Sequence, residues 1–457
     1  MVDITHFDGV LACPRCDRTP LDRDSDSYRC TGCRVDFPLL DGIPWLFAEP
    51  TAALGDWRTR FAFSIKTLER EQQRLSRALD TQHISKLTRQ RLALLAEASA
   101  DHSKRLQNVL APLQLDALSA DYETYLALRT RLPSDQGLTT YYNNIHRDWC
   151  WGDEENELSF DIVRDSLSDT PPGRVLVLGA GAGRLAYDIH MRAGADATVV
   201  LDFNPLLLLL AQRITAGESI ELYEFPIAPK NLDQHALLRT LRADSTARDG
   251  LHYVLADAHR PPFAKGSFDT VVTPWLIDIL PERFETLCSR INHLLCDDGR
   301  WINFGSLSFH DADPQRRLSL EECVQTVAES GFGTPLVAEN TIPYMCSPAS
   351  RHGRQERVVS WVASKLRNAK RVERHEALPD WLVRGKEPVP LLESFQMQAI
   401  STRIHAFIMS LIDGQRSLSD MADHFAEQKL MTRDEAEPAI RSFLIKMYED
   451  SQRSSGY

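Results

Sequence analysis

A chain of 457 residues that is 43% apolar is long enough for two or three domains. Its formal net charge of −12 argues against a nucleic-acid partner, because phosphate binding needs a basic face. No apolar run reaches the roughly 18 residues of a membrane span, and the opening MVDITHFDGV lacks the basic and apolar regions of a secretion signal, so a cytoplasmic protein is expected.

Nine cysteines fall into two groups. Cys150, Cys288, Cys296, Cys323 and Cys346 are scattered and read as small buried or half-buried thiols. Cys13, Cys16, Cys30 and Cys33 form two C-x-x-C knuckles, CPRC and CTGC, separated by 13 residues. Each knuckle can aim two thiolates at one tetrahedral metal, and four sulfurs suit zinc. In a cytosolic chain the pattern favours metal over disulfides. Four thiolates leave no open coordination position, so the zinc is expected to be structural. A segment this short buries little core and gains stability from a metal tie. The run after the second knuckle, RVDFPLLDGIPWLF, resembles the zinc ribbons of small activator subunits that bind methyltransferases. A zinc ribbon over residues 1–50 is expected, fused here to the rest of the chain.

Residues 51–139 read as a helical region. Leu68, Leu75 and Leu79 keep a helical spacing, as do Leu106, Val109, Leu110 and Leu113, with Pro112 and Pro133 as punctuation. Helices packed on a neighbouring domain are the preferred reading. From about 140 the pattern alternates strands with helices. Strands are expected at 174–181, 196–204, 251–257, 268–278, 300–307 and 358–364, which implies a doubly wound α/β sheet. Ligands then sit beyond the carboxyl ends of the strands.

The first strand runs into GAGAG, with Gly179, Gly181 and Gly183. A dinucleotide site needs a glycine where this chain has Arg184, and an arginine fits poorly where a helix must approach a strand closely. The turn instead matches S-adenosylmethionine (SAM) methyltransferases. Asp202 ends the second strand, where a carboxylate can accept both ribose hydroxyls. Asp257 ends the third, where an acid faces an adenine amine, with Ala258 beside it. Taken singly, each acid reads equally well as a loop or cap residue.

Several stretches between 140 and 370 resemble the carnosine N-methyltransferase (N2227-like) family: HRDW at 146–149, GAGAGRLAYDI, LDFNPLLLL, VVTPWLIDIL and WINFGSLSFH. The resemblance implies a Rossmann-like seven-stranded SAM methyltransferase sheet. It implies that Asn144 and Arg147 contact the cofactor, Arg147 its carboxylate through a forked pair of hydrogen bonds. It also implies that Gly179, Asp202, Asp257 and Ala258 hold ribose and adenine, that Pro274 touches the cofactor, and that Asp278 and His310 meet the substrate. The chain departs from the family before its last strand, where a tyrosine-rich segment is replaced by SPASRHGRQERVV and Tyr344 lies well upstream. Arg351, Arg354 and Arg357 there can contact a carboxylate, or form a solvated strand edge. Asp278 and His310 both follow strands, at the rim where a sulfonium methyl would point. A histidine there can orient an imidazole or remove a proton; the plainer reading is a helix cap and a solvated loop residue.

Residues 388–450 form a separate helical unit. Ser417 and Asp420 fit a helix cap ahead of MADHF. The unit resembles the small winged helix-turn-helix modules of the PqqD kind, which bind peptides in peptide-modifying systems. DNA binding is disfavoured, since residues 391–450 hold 6 Lys/Arg against 10 Asp/Glu. A packing or homodimerisation module is the alternative. The expected function is SAM-dependent methylation of an imidazole nitrogen in a histidine-containing dipeptide or peptide. Its rival is a non-catalytic SAM-fold module that recruits peptide partners through its ends.

Overall fold

Three residues at the exit of the fourth long strand, Pro274, Trp275 and Leu276, sit where the sheet, the glycine turn and a later hairpin converge. The structure is a computed structural model that describes residues 7–81, 83–115, 141–167, 170–309, 313–370 and 388–454. The chain divides into two units, Met1–Leu378 and Pro379–Tyr457.

The first unit begins with four short strands: β1 (Asp22–Arg23), β2 (Ser27–Arg29), β3 (Asp36–Leu40) and β4 (Ile43–Pro44), paired in sequence order. Two helices follow, α1 (Pro50–Leu79) and α2 (Lys86–Val109). Leu75, Leu106, Val109, Leu110 and Leu113 are buried as expected, and Trp57, Phe61 and Ile65 extend the apolar face. The rest of the expected helical region, 116–139, with Pro133, lies outside the described residues.

A short helix α3 (Tyr142–His146), a π-helical turn over Arg147–Trp151 and helix α4 (Asp153–Leu167) lead into the sheet. Its strands in chain order are β5 (Arg174–Leu178), β6 (Ala197–Asp202), β9 (Leu251–Leu255), β10 (Phe268–Pro274), β11 (Leu295–Gly305), β12 (Leu336–Tyr344) and β13 (Arg354–Ser364). Between β6 and β9 an antiparallel hairpin stands apart, β7 (Ile220–Glu224) and β8 (Leu237–Leu241). The intervening helices are α5 (Arg184–Arg192), α6 (Pro205–Thr215), α7 (Phe284–Leu294) and α8 (Leu320–Glu329).

The strand order is β12-β13-β11-β10-β5-β6-β9. The pairs from β11 to β9 are parallel, and β13 is antiparallel to both β11 and β12. This seven-stranded order is that of the SAM methyltransferase fold, as the sequence led us to expect. The central strands, such as RVLVL in β5, are apolar on both faces because helices cover both sides. Helix α6 is buried from Pro205 to Ala211, which its unbroken apolar run requires. Asn204 caps it by accepting from the Leu206 N–H at 3.0 Å.

The cysteine-bearing segment shares a core with the sheet. Leu11, Tyr28, Phe37 and Leu46 cluster with Leu176, Leu201 and Val254. Trp45 bridges in parallel to Leu255, and the Leu46 N–H donates to the Leu255 carbonyl at 2.8 Å. The bridge pairs the last residue of β9 at the otherwise free edge of the sheet.

The second unit holds α9 (Glu393–Ser410), α10 (Leu418–Glu427) and α11 (Arg433–Ser454) around a core of Ile408, Leu411, Met421, Phe425 and Ile440. Ser417 and Asp420 form the expected capping box. Among the described residues 388–454 there is no strand, so the wing of a winged module is not seen there. No helix among the described residues is long and apolar enough to cross a membrane.

Candidate active site

The glycine turn lies at the carboxyl end of β5. Gly179, Gly181 and Gly183 all have φ in the left-handed region, at 73°, 61° and 84°. Their reasons differ. A Cβ on Gly179 would come within 2.7 Å of the Leu276 side chain, so this glycine serves close approach to the chain leaving β10. A Cβ on Gly181 would meet nothing within 4 Å, so its open face is the one turned to free space. The Gly181 N–H donates to Asp202 Oδ2 at 2.9 Å, and the Asn204 N–H donates to Oδ1 at 2.9 Å. Asp202 is buried, and its carboxyl is pushed up to about 6 by burial, against the pull of those backbone donors.

Asp257 stands at the neighbouring strand end, with buried Ala258 beside it. Its Oδ1 accepts from the His259 N–H at 2.8 Å and lies 2.7 Å from His259 Nδ1. Burial pushes the Asp257 carboxyl up, and His259 more than reverses this, leaving it below its ordinary value. The hydrogen bond to Asp257 raises His259 in turn. His259 is a partner that the sequence reading did not anticipate.

The HRDW segment is tied to the same turn. Trp149 Nε1 donates to the Ala182 carbonyl at 2.8 Å. Arg184 donates from Nη1 to the Asp148 carbonyl at 3.2 Å and from Nε to Asp188 at 2.9 Å. The residue that breaks the dinucleotide fingerprint is therefore a buried clamp between α5 and the π-helical turn. Arg147 directs Nε and Nη2 to Asp148 Oδ1, both at 2.7 Å, and Nη1 to Glu155 at 3.0 Å. Burial alone would lower its pKa; Asp148 and Glu155 outweigh that and hold it charged, above its ordinary value. The fork expected to grip a cofactor carboxylate is taken by Asp148 in this structure. Asn144 lies half-buried on α3, one turn before it.

Across from the glycine turn, β10 ends at buried Pro274. Trp275 follows with φ 51°, and its N–H donates to the Phe304 carbonyl at 2.8 Å. A Cβ on Gly305 would lie 2.8 Å from that nitrogen, so the crossing requires glycine there. Asp278 lies just beyond and is 8% exposed. Its Oδ2 accepts from the Ser306 hydroxyl and from the Ser308 N–H, the latter at 2.9 Å. Its Oδ1 is buried with no hydrogen-bond partner among the described residues. A buried carboxylate oxygen without a donor is costly unless something else supplies one. His310 lies outside the described residues.

Tyr344, which the sequence places well upstream of the segment where the family carries its tyrosines, packs on this side. The β12–β13 hairpin sets Tyr344 opposite Arg354. The Tyr344 ring centroid lies 4.7 Å from that of Trp275, with the planes tilted by 48°, and the Arg354 guanidinium lies 4.5 Å from the Tyr344 ring centroid. Met345, at φ 54°, donates its N–H to Glu155 Oε2 at 2.8 Å, which joins the hairpin to the Arg147 ion pair. Pairing of TIPY with the later RQER was the signal available; a polar edge strand hid it. Arg351 donates its guanidinium to the carbonyls of Pro229 and Lys230, and Arg357 is exposed on β13.

The four expected metal ligands are together in the cysteine-bearing segment. Their sulfurs all lie within 4.8 Å of one another, with Cys13–Cys33 at 3.5 Å and Cys16–Cys30 at 3.4 Å. These separations exceed a disulfide bond, and all four cysteines are free. Each knuckle turns through a left-handed residue, Asp17 at φ 62° and Arg34 at φ 59°. The Asp17 and Arg34 N–H groups donate back to the carbonyls of Cys13 and Cys30, at 2.9 Å each. This is a cluster able to hold a metal ion.

A family model for carnosine N-methyltransferase matches residues 134–366, about half of the chain. A curated carnosine N-methyltransferase from Dictyostelium discoideum is 24% identical over 280 residues, covering 54% of this chain and 56% of the relative. The chain thus spans little more than half the length of that relative. Among solved structures, phosphoethanolamine N-methyltransferase 2 of Haemonchus contortus with SAM aligns at 15% identity and a TM-score of 0.34, covering 53% of this chain and 60% of that one. A 1,6-didemethyltoxoflavin N1-methyltransferase of Burkholderia thailandensis aligns at 19% identity and a TM-score of 0.32, covering 55% and 92%. With the family model covering the sheet, the glycine turn and Asp278, the chain belongs to the carnosine N-methyltransferase family.

Proposed function

We propose that this protein is a SAM-dependent N-methyltransferase that acts on an imidazole nitrogen of a histidine-containing dipeptide or peptide. The observation that carries the reading is Asp278 Oδ1, buried and without a donor at the rim of the strand beside the glycine turn. The residues present fit SAM. Gly181 leaves open space with its N–H on Asp202, while Asp202 and Asp257 end adjacent strands and offer acceptors for ribose hydroxyls and an adenine amine. SAM supplies an electrophilic methyl group and leaves as S-adenosylhomocysteine.

What remains for the protein is orientation, which is where most of the rate of such a transfer comes from. With Oδ2 fixed by Ser306 and Ser308, the Asp278 carboxylate cannot swing. Its Oδ1 accepts the N–H of the substrate imidazole and selects the tautomer whose other nitrogen carries the lone pair. As that nitrogen becomes alkylated, positive charge spreads over the ring and the same carboxylate stabilises it. Trp275 and Tyr344, in contact with each other, supply aromatic surface for the ring. We assign His310, by resemblance, to orienting the ring or taking its proton. At the cysteine cluster we infer one structural zinc, because an all-thiolate tetrahedral set suits that ion and leaves it no catalytic position.

Asp278→Ala tests the reading. Loss of a charge-assisted hydrogen bond made only by the acceptor should lower turnover roughly 10–100-fold and leave SAM affinity, measured by calorimetry, as in the parent. Full turnover on every accepted substrate would sink the assignment.

A further inference from the structure

The loop after β9 carries a histidine that the proposed reaction does not use. Leu255 is the register partner of Asp202, and the Ala256 N–H donates to the Asp202 carbonyl at 3.1 Å. Asp257 is thereby carried to the strand end beside the proposed ribose acceptor. The hydrogen bonds its carboxylate accepts come from His259 and fall on one oxygen. Oδ1 takes the His259 backbone N–H at 2.8 Å and lies 2.7 Å from Nδ1. An ionised carboxylate can only accept, so Nδ1 carries the proton. Oδ2 has no hydrogen-bond partner among the described residues, and the Asp257 side chain is 49% exposed, so that oxygen is open to a ligand.

The histidine is committed to this contact. Two other charges act on it, Glu282 and Arg290, and they are bound to each other through both guanidinium ends at 2.5 and 2.7 Å. Its loop is held as well. The Arg260 N–H donates to the Asp257 carbonyl at 2.9 Å, which closes a turn over Ala258 and His259. Leu11 then bridges antiparallel to Phe263, with the Ala12 N–H on the Pro262 carbonyl at 2.8 Å and the Ala264 N–H on the Val10 carbonyl at 2.9 Å. The cysteine-bearing segment, at the residues just before Cys13, thus anchors the chain that follows His259. A carboxylate turns readily about its last side-chain bond and can offer either oxygen. Two donors on Oδ1 oppose that rotation and leave Oδ2 facing outward. A ligand that meets Oδ2 must bring a donor; an acceptor there would desolvate the carboxylate without replacing its hydrogen bonds.

We propose that His259 is a positioning residue for cofactor selection: by fixing Asp257 Oδ1 it aims Oδ2 at the 6-amino group of adenine, and so makes the site reject a purine with a carbonyl oxygen at that position. The inference rests on the SAM reading of the site given above and adds the residue that makes its purine end selective.

The test is binding, so that it does not depend on turnover. Calorimetry on the full chain would compare S-adenosylhomocysteine with S-inosylhomocysteine, in which a carbonyl replaces the 6-amino group, for the parent, His259→Phe and His259→Asn. The ratio of the two affinities is the readout, because a general loosening of the fold weakens both ligands alike. The parent should prefer the adenine compound about tenfold or more, the scale of one hydrogen bond to a charged group. In His259→Phe, which keeps a ring but has no donor, the ratio should fall severalfold. In His259→Asn, whose amide nitrogen can stand near the place of Nδ1, most of it should return. Equal affinities in the parent, a ratio that His259→Phe leaves unchanged, a ratio lost as fully in His259→Asn as in His259→Phe, or no binding of either ligand to the parent would each overturn the proposal. A parent that discriminates between the two ligands yet methylates no acceptor would sink the activity reading and leave this assignment standing. Methyl transfer by a parent that binds both ligands equally would do the reverse.

Discussion

The Asp202 carboxylate holds the glycine turn through Gly181 and its own strand exit through Asn204, and burial pushes it up to about 6. Two pH effects follow, with opposite signs. If the anion accepts ribose hydroxyls, SAM affinity should be full above pH 6 and weaken as the pH falls through 6, while Asp202→Asn should flatten that profile. Titration calorimetry across this window checks it, and a flat profile in the parent would remove Asp202 from the ribose. For stability the folded chain keeps a proton that the unfolded chain, near 3.9, gives up. This group's contribution therefore falls as pH rises between about 4 and 6. At this scale the sequence was partly legible. Asp202, Asp257 and Asp278 could be read because each follows an apolar strand, and the structure puts them at one edge. Trp301 and Asn303 in WINFG were read as family marks; they prove to be structural, with Trp301 Nε1 donating to Thr273 Oγ1 at 2.9 Å and that hydroxyl donating to Asn303 at 3.0 Å. The position of Tyr344 was not legible, because sequence distance says nothing about a hairpin that folds the chain back on itself and sets Tyr344 opposite Arg354.

Elements were legible where both faces are buried. The runs read as strands at 174–181, 196–204, 251–257 and 268–278 correspond to β5, β6, β9 and β10, trimmed at their ends. β12 escaped because its residues 336–339 are exposed, so no apolar pattern marks it. The β7–β8 hairpin escaped although Ile220 and Leu222 alternate with polar residues, the period of a half-buried strand. It matters to the segment before the glycine turn, since the Tyr223 carbonyl accepts from the Tyr142 hydroxyl at 2.7 Å. The cysteine segment was legible as a metal-binding unit but not as a partner of β9. Because Trp45 and Leu46 pair with Leu255 at the end of that strand, and Trp57 on α1 lies 5.7 Å from the Phe203 ring beside Asp202, the segment should stabilise the cofactor end of the sheet. Elemental analysis should find about one zinc per chain. Cys30→Ser should lower both the thermal midpoint and SAM affinity. A metal-free protein with unchanged melting and SAM binding would contradict this role.

For the whole molecule, two units follow from two separate cores, one around the sheet and one around Met421 and Phe425. A chain ending at Leu378 should keep SAM affinity and transfer to carnosine, because every group assigned to the site lies before that point. If the second unit gathers peptides, as its resemblance suggests, the shortened chain should show a raised KM for a histidine peptide only. An equal loss on both substrates would mean that the second unit supports the fold of the first. The account as a whole turns on where the methyl group goes. The direct measurement is mass spectrometry of carnosine after incubation with the full chain and isotopically labelled SAM, with fragmentation to locate the label. One labelled methyl on an imidazole nitrogen, with matching release of S-adenosylhomocysteine, is the result the account predicts. SAM binding with no labelled product, or label on the amino group, would contradict it.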